Sequence, residues 1–131
     1  GAREELEMRG YVELRVWAKA MDLAAMVYDL CKQMPKSELY GMISQMQRAA
    51  ASVPANIAEG YQRGSRKDYA RFIGIARGSL AEVETFLLLA VRVGHLKTAE
   101  ARSSLNTAEE VGRMLTGLKQ KLDLPPLGPN P

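Results

Sequence analysis

The sequence predicts an all-α protein: a single antiparallel, up-down bundle of four helices that associates with its own copies. Three observations predict it. Four stretches carry apolar residues at three- and four-residue steps, the period of a helix with one buried face. Short links bearing Pro, Gly or Ser separate them, which favours antiparallel neighbours. The second stretch lacks the charged face that a solvated helix needs.

The first helix is expected over about Leu14 to Gln33. Trp17, Ala20, Met21, Ala24, Val27, Tyr28 and Cys31 form its stripe, widened by Val16, Leu23 and Leu30. Met34-Pro35 ends it, because proline disfavours helical geometry in the residue before it. Ser37 is the expected cap of a second helix over Glu38 to Gln62, with Glu38 at the positive end of its dipole. Pro54 should kink or restart that helix. Gly64 then serves as C-cap and Ser65 as the next N-cap, supported by Asp68.

The third helix is expected from Arg66 to Val93, with Tyr69, Phe72, Ile73, Ala76, Leu80, Val83, Leu87, Ala90 and Val91 as its stripe and Gly94 as its stop. The fourth starts near Thr98, a cap candidate, and reaches Leu122 through a seam of Ala101, Leu105, Ala108, Val111, Leu115, Leu118 and Leu122. The domain reading is an N-terminal arm over 1–13, the bundle over 14–123 and a Pro-rich, non-helical tail over 124–131.

Composition narrows the function classes. A chain of 131 residues holds one domain with its own core and needs no metal or disulfide staple. Hydrophobic residues are 47% and charged residues 25%, ordinary for a globular protein. Cys31 is the one cysteine and falls on the apolar side of helix one, so it reads as a buried hydrophobe in a reducing, cytoplasmic setting. His95, the one histidine, sits at a helix end and reads as a loop or capping residue. No segment has the roughly 18 apolar residues of a membrane span. No metal-ligand spacing or phosphate-loop glycine pattern is present, so no cofactor is expected. The net charge of +3 permits an acidic partner without requiring one.

Helix two is the informative segment. Between Leu39 and Ala58 its only charged residue is Arg48. Leu39, Met42, Ile43, Met46, Ala49, Ala50, Val53 and Ile57 form the expected core stripe. The opposite side holds Tyr40, Gln47, Ala51, Pro54 and Ala58, small or weakly polar. Three neighbours cannot bury a helix on all sides, so this back is the expected oligomer interface, where alanines allow close approach. Between the two faces runs a polar line of Gln45, Arg48, Ser52, Asn56 and Glu59. It reads either as a ligand or catalytic line or as a buried network that fixes helix register, with Arg48 paired to Glu59 or Glu82 and Ser79 joining in. The structural reading is favoured, because a buried charge persists only when paired. No Cys or His stands in the line as a nucleophile or its base, so no enzymatic activity is expected.

Four strings carry a family resemblance: Leu14 to Ala20, Glu38 to Ala50, Ser52 to Gly60 and Gly78 to Thr85. They resemble the four-helix bundle proteins encoded in intervening sequences of bacterial 23S ribosomal RNA genes, with the Gln45 to Gly60 string the most specific. The resemblance implies a ring-like homo-oligomer, a pentamer, and kinship with accessory proteins of diversity-generating retroelements. Those bind nucleic acid and a reverse transcriptase, so a reverse transcriptase is an implied protein partner. No catalytic activity is implied.

The basic cluster Arg63, Arg66, Lys67, Arg71 and Arg77, flanked by Tyr61 and Tyr69, is the candidate contact to RNA or DNA. Arginines grip phosphates and tyrosines stack on unpaired bases. Such a cluster is often only a solvated connector. Here, however, positive charge sits at a helix start, where it opposes the dipole. Lys119 and Lys121 suit the negative end of helix four and read as structural. The alternative function is a protein-binding assembly module without affinity for nucleic acid.

Overall fold

The structure, a computed structural model, describes residues 10–125. Among them lie four long helices and no strand: α1 (Arg15–Cys31), α2 (Ser44–Gln62), α3 (Arg66–Arg92) and α4 (Thr98–Asp123). Each helix packs on its neighbours in the chain, and α4 returns to pack on α1. This closed square of sequential neighbours is an up-down four-helix bundle. The expected arm over 1–13 is described only from Gly10, where a 3₁₀ turn (Gly10–Glu13) leads into α1. The tail beyond Pro125 lies outside the described residues.

Fully buried side chains come from all four helices: Leu23 and Val27; Met46, Val53 and Ile57; Ile73, Val83 and Leu87; Val111 and Leu115. Each was legible as a stripe position, because burial follows the helical period. Cys31 is buried as expected, and burial pushes its thiol pKa up, which disfavours the reactive thiolate. No helix among the described residues is long and apolar enough to cross a membrane.

The connection from α1 to α2 departs from the sequence reading. The segment Lys36–Glu38 is a 3₁₀ turn and Leu39–Ile43 a π turn, so α2 begins six residues later than Glu38. Gly41 interrupts the helical backbone with φ −111° and ψ −109°. Ser37 caps nothing here: Pro35 precedes the 3₁₀ turn, without a side-chain cap bond. Leu39, expected in the core, is instead 50% exposed, and Tyr40 stands 94% exposed. Pro54 does not restart the helix either, since α2 runs through it.

The other helix ends follow their signals. Gly64 and Gly94 take the left-handed conformation, at φ 85° and 82°, that a side chain disfavours. The Ser65 side chain accepts the Asp68 backbone N–H at 3.1 Å and caps α3. Thr98 is the first residue of α4 rather than its cap. Lys97 holds the cap position, and the Glu100 carboxylate accepts its backbone N–H at 2.7 Å. His95 Nε2 lies 3.0 Å from Glu38 Oε2 and ties the α3–α4 loop to the 3₁₀ turn at the same end of the bundle.

Candidate nucleic-acid interface and self-association faces

The up-down order brings the end of α2, the start of α3 and the end of α4 together. Gly64 reverses the chain there and sets Arg63, Arg66 and Lys67 around one turn. The guanidiniums of Arg63 and Arg71 lie 5.0 and 4.4 Å from the centroid of the buried Phe72 ring. The ring face attracts cations, so it limits how freely both arginines swing. Each also meets a carboxylate, Arg63 with Glu59 at 3.0 Å and Arg71 with Asp68 at 3.9 Å. Arg66 is engaged differently. Its guanidinium donates to the backbone carbonyls of Lys121 and, at 3.1 Å, Leu124, and so satisfies the open end of α4.

Arg66, Lys67, Arg71 and Lys119 line one open groove of about 520 Å³. Lys119 pairs with Asp123 at 2.7 Å, whereas Lys67 has no ion pair among the described residues. From the sequence alone, Lys119 reads as a dipole partner at the end of α4. Its signal was topological, because an antiparallel α4 must end beside the start of α3. Arg77 does not join this groove: it lies eleven residues along α3, about 16 Å at helical rise. Tyr61 and Tyr69 meet edge to face at 5.9 Å. Tyr69 is half-buried, and burial, then the neighbouring Tyr61, raise its pKa and keep the hydroxyl protonated. Tyr61 is the exposed ring of the two.

The polar line of helix two divides into separate groups. Arg48 donates to Gln45 Oε1 at 2.7 Å and pairs with Glu82 at 3.4 Å, with its side chain 60% exposed. Of the two carboxylates considered for it, the partner is Glu82. The Ser52 and Ser79 hydroxyls lie 2.8 Å apart, and Asn56 Nδ2 donates to both the carbonyl and the hydroxyl of Ser52 at 2.8 Å. Ser79 is buried, whereas Ser52 and Asn56 are half-buried. Glu59 turns away to Arg63. The expected buried network is therefore confined to the serine end, because Arg48 reaches its carboxylate over the outside of the α2–α3 seam. These bonds hold two helices in register.

On the back of α2, Ala51 is exposed and Gln47 and Ala58 are half-buried, but Pro54 is buried within the chain. Pro54 thus departs from the all-exposed back expected. Trp17, Met21 and Ala24 of α1 line an open groove of about 390 Å³ with Ala51, Pro54, Ala55 and Ala58. Packing between α1 and α2 leaves this groove shallow because the α2 wall is built of small residues.

A further groove between α3 and α4 gathers Arg77, Glu84, Glu109 and Arg113 over Gly112 and Gly117. Burial, then the charge of Glu109, raise the pKa of Glu84. A carboxyl whose pKa is higher in the folded chain binds more protons there than in the unfolded chain. Stability must therefore fall as pH rises from the unfolded value through the folded one. Glu84→Gln is expected to raise the urea midpoint at pH 7 and leave it unchanged below the unfolded pKa; denaturation at both pH values checks this.

The family model for the 23S rRNA-intervening sequence protein matches residues 12–117. A solved structure from Bacteroides thetaiotaomicron, described as a protein of unknown function from the S23 ribosomal protein family, is similar at 26% identity and a TM-score of 0.75. The alignment covers 80% of this chain and 98% of that one. No curated protein matches. The match covers α1 to α3 whole, most of α4 and the Gln45 to Gly60 string, so the chain belongs to the 23S rRNA-intervening sequence protein family.

Proposed function

We propose that this protein is a non-enzymatic subunit of a homo-oligomer that binds RNA or DNA through the basic end of its bundle. The observation that carries the reading is the convergence of Arg66, Lys67, Arg71 and Lys119 on one groove, beside Arg63 and the exposed Tyr61. The nearby carboxylates Glu59, Asp68 and Asp123 are each ion-paired to a base of this end, so the excess charge there is positive. Arginines held against Phe72 lose less freedom when they grip a phosphate. A single subunit with so few contacts binds weakly, and repeated copies supply avidity. The pentameric ring implied by the resemblance would present five such ends; a reverse transcriptase is the protein partner in that reading. The Ser52, Asn56 and Ser79 hydrogen bonds are spent on one another, which supports a role in packing rather than in chemistry.

The test is binding of single-stranded RNA at several salt concentrations. Lys67→Glu with Arg71→Glu is expected to weaken binding at least tenfold and flatten the slope of log affinity against log salt by about two, while molar mass in light scattering stays unchanged. Arg66 is left intact because it holds the end of α4. Wild-type protein indifferent to both RNA and single-stranded DNA at low salt would overturn the nucleic-acid reading. It would favour a protein-binding assembly module, for which the uncovered apolar surface of the bundle speaks.

A further inference from the structure

The basic groove at the end of the bundle gathers charge at one point rather than along a line. Arg66, Lys67, Arg71 and Lys119 line it, and Leu122, Leu124 and Pro125 wall its α4 side. Among the described residues two carboxylates, Asp123 and Asp68, stand within ion-pair reach of these four cations, so two positive charges are left uncompensated. Among the same residues no row of cations leads out of the groove along α3. The next basic residue of that helix, Arg77, comes six positions after Arg71, which turns it about 120° away around the axis. It lines a different groove. The donors inside the basic groove are open. Both hydrogen bonds from the Arg66 guanidinium to α4 leave from Nη2, so Nε and Nη1 keep their protons for a further acceptor. Arg71 meets Asp68 only at 3.9 Å, beyond hydrogen-bond reach.

We infer that this groove seats the terminal phosphate of a nucleic-acid strand, a phosphate monoester, in preference to a phosphodiester within the strand. This rests on the nucleic-acid binding proposed above and names which part of the ligand the site takes. An internal phosphodiester carries one negative charge, whereas a terminal monoester approaches two at neutral pH and offers three unesterified oxygens. The two uncompensated charges match the monoester. Its oxygens can meet donors from two helices at once, Arg66, Lys67 and Arg71 of α3 and Lys119 of α4. The carbonyls of α4 fix Arg66 and the Phe72 ring holds Arg71, so both are set before the ligand arrives. An internal phosphodiester needs a way in and a way out for its strand, and the apolar wall on the α4 side denies one of them. A strand that ends in the groove needs only the other side. There Arg63 lies over the same Phe72 ring as Arg71, ready for the next phosphate, and the exposed Tyr61 offers a ring to a base.

Fluorescence anisotropy of a short, internally labelled single-stranded RNA tests this, with the strand ending in a 5′-phosphate, in a 3′-phosphate or in hydroxyls at both ends. The wild-type chain is expected to bind one phosphorylated strand about tenfold more tightly than the hydroxyl-ended strand, the effect of one added charge-assisted contact. Which end gains gives the polarity of the bound strand. Lys67→Gln with Arg71→Gln is expected to bring that ratio close to one. Arg92→Gln with Arg102→Gln removes the same charge at the opposite end of the bundle and is expected to leave the ratio unchanged. All four side chains are exposed, so both double variants keep the fold. A ratio of one in the wild type would overturn the terminal-phosphate site and leave nucleic-acid binding standing. So would a preference that both double variants lower alike, or one that survives the loss of Lys67 and Arg71. No binding of any strand at low salt would overturn nucleic-acid binding itself, and the terminal-phosphate site with it.

Discussion

Alanine at Gly60 is expected to destabilise the bundle and alanine at Gly117 to stabilise it, although both replace a helical glycine. Removing glycine from a helix interior gains about 1 kcal/mol at either place. The difference lies in what the new methyl meets. At Gly60 it would sit 2.7 Å from Phe72 Cβ, 3.2 Å from Tyr69 Cδ1 and 3.3 Å from the Tyr69 carbonyl oxygen. Two of these atoms belong to or adjoin the α3 backbone, so a rotamer change does not clear them and the helices must part. Overpacking of this kind costs about 1–3 kcal/mol. The net loss for Gly60→Ala is therefore up to about 2 kcal/mol, and Gly60→Val, with two more methyls and a stiff side chain, loses more. At Gly117 nothing among the described residues beyond its own helix backbone lies within 4 Å of the new methyl, so the propensity gain stands alone. Urea denaturation of the three variants checks the order. Equal shifts for both alanines would show that α2 and α3 do not approach so closely.

That close approach was only half legible in the sequence. The Gln45 to Gly60 string stood out, but a glycine in a helix does not announce which neighbour needs the space. What the helical period controls was readable: Leu23, Ile57, Leu87 and Leu115 are fully buried where their stripes placed them. What depends on one backbone torsion was not. Gly41 breaks the expected second helix and turns Leu39 out of the core, and the sequence carries the same apolar pattern whether or not that turn forms. The basic end shows a similar division. Arg63, Arg66, Lys67 and Arg71 could be picked out as neighbours in the chain. That Arg66 closes α4, that Lys119 joins the groove and that Arg77 stands apart are consequences of topology. Likewise α3 reads as a well-formed amphipathic helix if only its stripe is counted; its charge-poor outer side becomes visible once each exposed residue is placed.

Leu87 and Leu88 make the sharpest contrast, because they are the same residue at adjacent positions of one helix. Leu87 is 0% exposed and Leu88 58%. Leu87→Ala opens a cavity in the shared core and is expected to cost about 2–5 kcal/mol at every protein concentration. Leu88→Ala removes a side chain that touches mostly solvent within one subunit, so its effect on an isolated bundle stays within about 0.5 kcal/mol. If the outer face of α3 meets a second copy in the proposed homo-oligomer, however, Leu88 is buried on assembly. Stability linked to assembly depends on subunit concentration. The wild-type urea midpoint should then rise with concentration. Leu88→Ala should reduce that rise, while Leu87→Ala should lower the whole curve in parallel. Midpoints measured over a hundredfold range of concentration separate the two effects. A Leu88→Ala curve that tracks the wild type throughout would mean that water, rather than a second copy, covers the outer face of α3.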